Sequence, residues 1–240
     1  MEKVQWKHEA GVAILEMCNG ANAMDLAFAQ EMDHSLDKIL DNPKISALVL
    51  TSSPGKNFSL GVDLKWMGEQ YAKEDFQAIK DFAHGMNRIF KRLLLLPIPA
   101  VAAINGHAFG NGAILACACD FRFMAKDQGF FCFPEVDVSV PFLPGMIAFV
   151  KKAVPEYLFN EMLLGGKRMT AGDLEKHHVL VKACDTAETC LADALEFARG
   201  FQKKRGIFGE LKKRKHKGMI QVMETQDPGF IDALNLMVME

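Results

Sequence analysis

Ile104 to Glu135, INGHAFGNGAILACACDFRFMAKDQGFFCFPE, continues an apolar run from Pro99 that has the composition of a strand. The run stops at a turn punctuated by Gly106, Gly110 and Gly112, after which small residues alternate with Ile114, Leu115 and Cys117. This pattern predicts a strand, a tight loop and a buried helix. Glycines at such a junction let backbone approach backbone or ligand, and a helix start leaves N–H groups unpaired. The loop can therefore hold an anion. Beyond Asp120 a second apolar segment, Phe121 to Phe133, turns at Lys126 to Gly129 and ends at Pro134-Glu135, so a carboxylate follows at once.

Upstream, Val4 to Met17 reads as a hairpin or two short strands about Glu9-Ala10-Gly11, followed by a turn at Asn19 to Asn22. From Asp25, placed as an N-cap, Phe28, Met32, Leu36 and Ile39 recur at helical spacing until Asn42-Pro43 ends the helix. Ser46 to Ser52 (SALVLTS) is a continuous apolar strand of the kind covered on both faces in a parallel sheet. Pro54 to Leu64 forms a second loop with exposed backbone N–H groups, with Gly61 freeing the chain and Asp63 near a helix start. Gln70 to Leu96 reads as one long amphipathic helix, stopped by Pro97 and Pro99.

Downstream of Glu135, helices are expected at Met146–Lys152, Tyr157–Leu164, Ala171–His177, Thr186–Lys204 and Gly209–Val222, with one short strand at Val179–Lys182. The chain has 240 residues, half of them apolar, and a formal net charge of −2, so it can bury a large core. We divide it into a core, 1–185, and a C-terminal helical region, 186–240. Neither a secretory h-region nor an uninterrupted apolar span is present, and the expected location is cytoplasmic. The six cysteines lack paired spacing and read as reduced thiols; no metal-ligand pattern is seen. A near-neutral chain with one short basic run, Lys212 to Lys217, gives no support for nucleic-acid binding.

Taken together, these residues resemble the crotonase superfamily, the enoyl-CoA hydratase and isomerase family, over nearly the whole chain. Phe58 to Leu64 (FSLGVDL) looks like the first oxyanion loop, and Pro99 to Asp120 like the second loop and its helix. Ala171 to Leu174 stands where the family has a late Thr-Ala-x-x-Ala-type helix. The resemblance implies an α/β spiral of strand-strand-helix repeats with a C-terminal helical trimerisation region, assembling as a homotrimer or a dimer of trimers. It implies an acyl-CoA substrate and no permanently bound cofactor, coenzyme A being part of the thioester. The oxyanion donors would be the N–H groups of Val62 and Asn111, and Ala23, Met24, Leu60, Gly61, Lys65 and Gly110 would contact the coenzyme A part. The C-terminus is short beside the family pattern, so a cover over the acyl pocket is expected to be absent or to come from a neighbouring subunit.

The acids present select the reaction. Proton removal next to a thioester carbonyl puts negative charge on oxygen, and each preorganised N–H donor there contributes on the order of 3 kcal/mol. Asn at 111 suits such a loop because asparagine tolerates positive φ. Family hydratases resemble one another in carrying two glutamates; here the first position is Ile114 and the second is Glu135. Dienoyl-CoA isomerases would need further aspartates at Ile114 and near Leu143, both apolar here. A single carboxylate suits a 1,3-proton shift, and PEVDVSVPF looks closest to delta3,delta2-enoyl-CoA isomerases. Competing readings are hydration, decarboxylation or hydrolysis on the same oxyanion site, or a non-catalytic acyl-CoA-binding subunit. Locally, Glu135 could instead cap a turn or pair with Arg122. Asp137 is a reserve acid, while His107 and Asp120 read as structural. The Lys212–Lys217 run is a solvated helix face or, with Lys65, a contact for the coenzyme A phosphates.

Overall fold

The computed structural model describes residues 2–238. Strands β1 (Val4–Glu9) and β2 (Val12–Met17) form an antiparallel hairpin whose two turn residues, Ala10 and Gly11, both have positive φ, as a tight primed turn requires. The chain then winds in repeats. Each repeat gives one strand to a large sheet, a short strand to a smaller one, and a helix that returns to the start. The first comprises β2, β3 (Ala23–Met24) and α1 (Leu26–Asp41); Asp25 caps α1 by accepting the Phe28 N–H. The second comprises β4 (Ala47–Ser52), β5 (Asn57–Ser59), β6 (Gly61–Val62), α2 (Leu64–Ala72) and α3 (Phe76–Leu95). The third comprises β7 (Ala100–Ile104), β8 (His107–Phe109) and α4 (Asn111–Ala118). Strands β9 (Phe121–Ala125), β10 (Phe131–Cys132) and β11 (Lys182–Cys184) complete the sheets.

The large sheet runs β1-β2-β4-β7-β9-β11, and every pairing after the hairpin is parallel. All of β4 is buried, and its side chains alternate between two cores. Leu48 and Leu50 join Ala102 and Ile104 beneath α1, α3 and α4, while Ala47 and Val49 join Val101 and Ala103 on the other face. That second face is covered by α8 (Ala187–Arg199), through Cys190, Ala194 and Ala198. The spiral of strand-strand-helix repeats is therefore the observed fold.

Helices α5 (Pro144–Val150), α6 (Glu156–Gly165) and α7 (Ala171–Lys176) follow β10, and α7 is capped reciprocally by Thr170 and Asp173. Helices α9 (Arg205–Thr225) and α10 (Asp227–Asp232) pack back on α3 and α5 of the same chain.

Three elements differ from expectation. The single helix over Gln70–Leu96 is two, because Glu74 takes a left-handed φ of 56° and Asp75 starts α3 by accepting the Ala78 N–H. The turn, Lys73-Glu74-Asp75, has neither Gly nor Pro to mark it. The late strand lies at Lys182–Cys184, not Val179–Lys182, because the Val179 N–H turns back to Leu174 O to close α7. Helix α10 carries no sequence signal beyond Asp227-Pro228.

The repeats meet so tightly that some glycines are required for space alone. A Cβ on Gly112 would fall 2.5 Å from Ser59 O, so Gly112→Ala is expected to lower unfolding free energy by roughly 1–3 kcal/mol. Gly68, inside α2, has nothing within 4 Å of such a Cβ, and Gly68→Ala is expected to add about 0.5–1 kcal/mol. Denaturant midpoints of both variants beside the parent check the opposite signs.

Candidate active site

The first loop crosses from β5 into β6, where Gly61 takes φ +86°. A Cβ there would lie 2.8 Å from Phe109 O and 3.1 Å from Asn111 N, so the two loops touch backbone to backbone. Strand β6 pairs with β3 in register Ala23–Gly61 and Met24–Val62, and Asp63 then caps α2 by accepting the Trp66 N–H. Asn22 ties this loop down. Its Nδ2 donates to Phe58 O at 3.0 Å, and its carbonyl accepts from the Ser59 hydroxyl at 2.7 Å. Asn22 was legible only as part of a turn; its role depends on partners some 35 residues away, and its buried amide is visible only once the turn is folded.

The second loop ends at Gly110, whose φ of 52° and ψ of −125° start α4. The positive φ thus falls on Gly110 and not on Asn111, which is the first helical residue. The Ile114 N–H bonds to Gly110 O, while the Asn111 N–H precedes any intrahelical acceptor and lies beside Gly61.

Glu135 enters from a third element, a 3-10 turn over Pro134–Val136. Its Oε1 would be 3.2 Å from a Cβ at Gly110, so the absent side chain makes room for the carboxyl. Glu135 is 9% exposed, and its Oε2 has no hydrogen-bond partner among the described residues. Burial pushes its pKa up to about 8, against a smaller opposing pull from its own backbone N–H.

Val62, Asn111 and Glu135 line one cleft, walled by Met67 and Tyr71 of α2 and by Ile79, Phe82 and Met86 of α3. The break between those helices lets both face the same space. Ile114 lies on the wall at 1% exposure, where the hydratase pattern would place an acid. Among the described residues Glu135 is the only charged side chain in the lining. Leu236 and Met237 reach the cleft from the C-terminal segment, and the Val238 N–H bonds to Ser139 O. The chain's own C-terminal segment therefore supplies part of the cleft wall.

The local alternatives separate clearly. Arg122 does not pair with Glu135; its guanidinium donates to Val179 O, Ala116 O and Cys119 O. Asp137 is exposed and turned toward Gly166, because the 3-10 turn removes the strand geometry that would have aligned it with Glu135. His107 Nδ1 accepts the Phe130 N–H, and Asp120 Oδ2 accepts the Ala100 N–H, both structural as read. Lys212 departs from both readings of the basic run. It is buried and donates to Leu93 O and Asp120 Oδ2, leaving Lys213, Arg214, Lys215 and Lys217 outside. Of the remaining positions, Lys65 and Leu60 are exposed and Ala23 is half-buried. The Met24 side chain is wholly in the core, which leaves only its backbone available.

Two loops and one desolvated carboxyl thus meet around a single apolar cleft. The family model for enoyl-CoA hydratase/isomerase matches residues 7–232, and the chain belongs to that family. Carnitinyl-CoA dehydratase of Escherichia coli strain SMS-3-5 is 33% identical over 168 residues, 70% of this chain and 62% of that protein. The Citrobacter koseri enzyme of the same name is 35% identical over 151 residues, 63% and 56% of the two chains. This chain therefore spans less than two thirds of those dehydratases. An apo enoyl-CoA isomerase of Mycobacterium tuberculosis superposes with TM-score 0.83 at 23% identity, covering 97% of this chain and 98% of its own. A probable enoyl-CoA hydratase from the same organism gives 0.85 at 22%, covering 97% and 96%. Among the described residues no helix is long and apolar enough to cross a membrane.

The raised pKa makes Glu135 a stability liability. Folded Glu135 holds its proton to about pH 8 whereas the unfolded side chain releases it near 4.5, so stability declines as pH rises between those values. Glu135→Gln is expected to melt above the parent at pH 8, with the gap closing as pH falls toward 4.5; calorimetry across that range checks it.

Proposed function

We propose that this chain is a delta3,delta2-enoyl-CoA isomerase. The observation that carries the reading is the solitary acid: Glu135 faces the cleft and Ile114 occupies the place of a second carboxyl. Glu135 takes a proton from C2 of a 3-enoyl thioester. The resulting dienolate oxygen is held by the N–H groups of Val62 and Asn111, and Glu135 returns the proton at C4. A carboxylate of pKa about 8 is a stronger base than an ordinary glutamate. The apolar lining excludes the water that would compete for the dienolate.

The coenzyme A part would lie along the first loop, with Ala23, Met24 backbone, Leu60, Gly61 and Lys65 on one side and Gly110 on the other. No cofactor beyond that carrier is invoked. We infer a homotrimer or a dimer of trimers, which sedimentation would test. The name of the E. coli and Citrobacter relatives favours a second reading, dehydration or hydration with a single glutamate.

Conversion of a 3-enoyl-CoA to the conjugated 2-enoyl isomer, followed by absorbance, tests the proposal. Glu135→Gln is expected to reduce turnover roughly a thousandfold with thioester affinity kept. Label from 18O water in the product would move the assignment to hydration.

Because the base must be ionised, parental kcat/KM is expected to rise steeply with pH toward an inflection near pH 8. A flat profile between pH 6 and 8 would remove Glu135 from the base role.

A further inference from the structure

Helix α4 begins with the Asn111 N–H at the cleft and ends against a group of cations. Its eight residues are all buried, so no water is available to its last carbonyls. Side chains take that place. Lys152 Nζ donates to Cys117 O at 2.6 Å and to Cys119 O at 2.7 Å. Arg122 Nη1 donates to the same Cys119 O at 3.0 Å and more weakly to Ala116 O. Lys152 comes from just beyond α5, whose start, with Leu143 and Met146, lines the cleft.

We propose that Lys152 is a positioning residue for the oxyanion site: by binding Cys117 O and Cys119 O, it holds and polarises the helix whose first N–H, on Asn111, meets the thioester oxygen. This rests on the reading of Asn111 as a carbonyl donor, and not on which enolate reaction follows. A rise of 1.5 Å per residue puts the two ends of α4 only about 12 Å apart. Each carbonyl bonded by a cation strengthens the aligned dipoles of the turns before it, so the far N–H becomes a better donor. Cations at a helix C-terminus are favourable in their own right.

The surroundings give the arrangement a control. Around Lys152 stand Cys117, Cys119 and Asp120 at the end of α4, Arg122 on β9, and Lys212, Lys215 and His216 on α9. Only Asp120 is acidic, and it already accepts from Lys212 at 2.8 Å. Although Lys152 is half-buried as a residue, desolvation first and then Arg122 bring its ammonium down to about 7. His216 is pushed down to about 4 and stays neutral across the same range.

The test uses a 2-enoyl-CoA labelled with 13C at the thioester carbonyl, whose infrared band falls as the oxygen is polarised. Bound to the parent, the band is expected below its solution value. In Lys152→Met it should return part of the way with turnover down roughly tenfold, affinity and KM within twofold, and Lys152→Arg should restore both readouts. A parental band and parental turnover in Lys152→Met, or equal loss in Lys152→Arg, overturns the assignment, because a purely structural cap would change melting and not the carbonyl.

Should Lys152→Met fail to fold, the band is followed from pH 6 to 9 in Glu135→Gln, which removes the glutamate titration. An inflection near 7 that Lys152→Arg moves out of range supports the role; a band independent of pH overturns it. A parent that shifts the band without isomerising anything defeats the isomerase reading alone. A parent that binds the thioester with no shift defeats the oxyanion site and this inference with it.

Discussion

The site depends on a contact in which side chains have no part. Gly61 meets Phe109 O and Asn111 N with no space for a Cβ, and Gly112 meets Ser59 O in the same way. Two repeats of the spiral are thereby brought into mutual backbone contact, and the Glu135 side chain enters beside Gly110. Oxyanion donors made of backbone N–H groups gain from this, since their positions are set by the ladders and helices that hold them. The Ala23–Gly61 and Met24–Val62 pairings hold Val62 in place, and the start of α4 sets Asn111. That is why Val and Asn can occupy the two positions without altering the geometry.

An unpaired carboxyl in an apolar cleft is unfavourable, and the fold surrounds it with structure that cannot relax around it. Among the described residues no cation reaches Glu135: Arg122 and Lys152 are committed to the carbonyls of α4, and Lys212 to Asp120. Had any of them turned to the glutamate, its pKa would have dropped and its basicity with it. The cationic cluster and the carboxyl are thus kept at opposite ends of α4. The separation is maintained because each cation satisfies carbonyls or a carboxylate that would otherwise be buried alone.

How much of this was legible in the sequence follows the range of the interactions. Glycines at 61, 106, 110 and 112 announce close approach through local spacing, so both loops and the buried helix could be read directly. Asp25 and Asp63 likewise reveal helix starts through bonds three residues long. Asp75 offered the same signal, yet with neither Gly nor Pro at Lys73 to Asp75 nothing else marked the break. Periodicity reports which side is buried, and it does not report a single left-handed residue such as Glu74. Lys212 could not be read as buried, because its partner Asp120 lies 92 residues away and nothing adjacent marks it apart from Lys213. The isolation of Glu135 was equally out of reach, since having no partner is a property of the whole neighbourhood.

Helix α4 unites these levels. Its sequence, NGAILACA, is apolar all round, which for a soluble chain means a helix enclosed on every side. Enclosure removes water from both ends, and each end must then be satisfied by something the fold or the substrate supplies. At the C-terminal end the fold does so with Lys152 and Arg122. At the N-terminal end Asn111 lines the cleft, and its N–H has no acceptor within the helix. The helix is thus satisfied at one end and open at the other, where the Glu135 carboxyl lies beside Gly110 with its Oε2 unpartnered among the described residues. The burial that makes α4 an ordinary core element is therefore also what makes its first turn reactive.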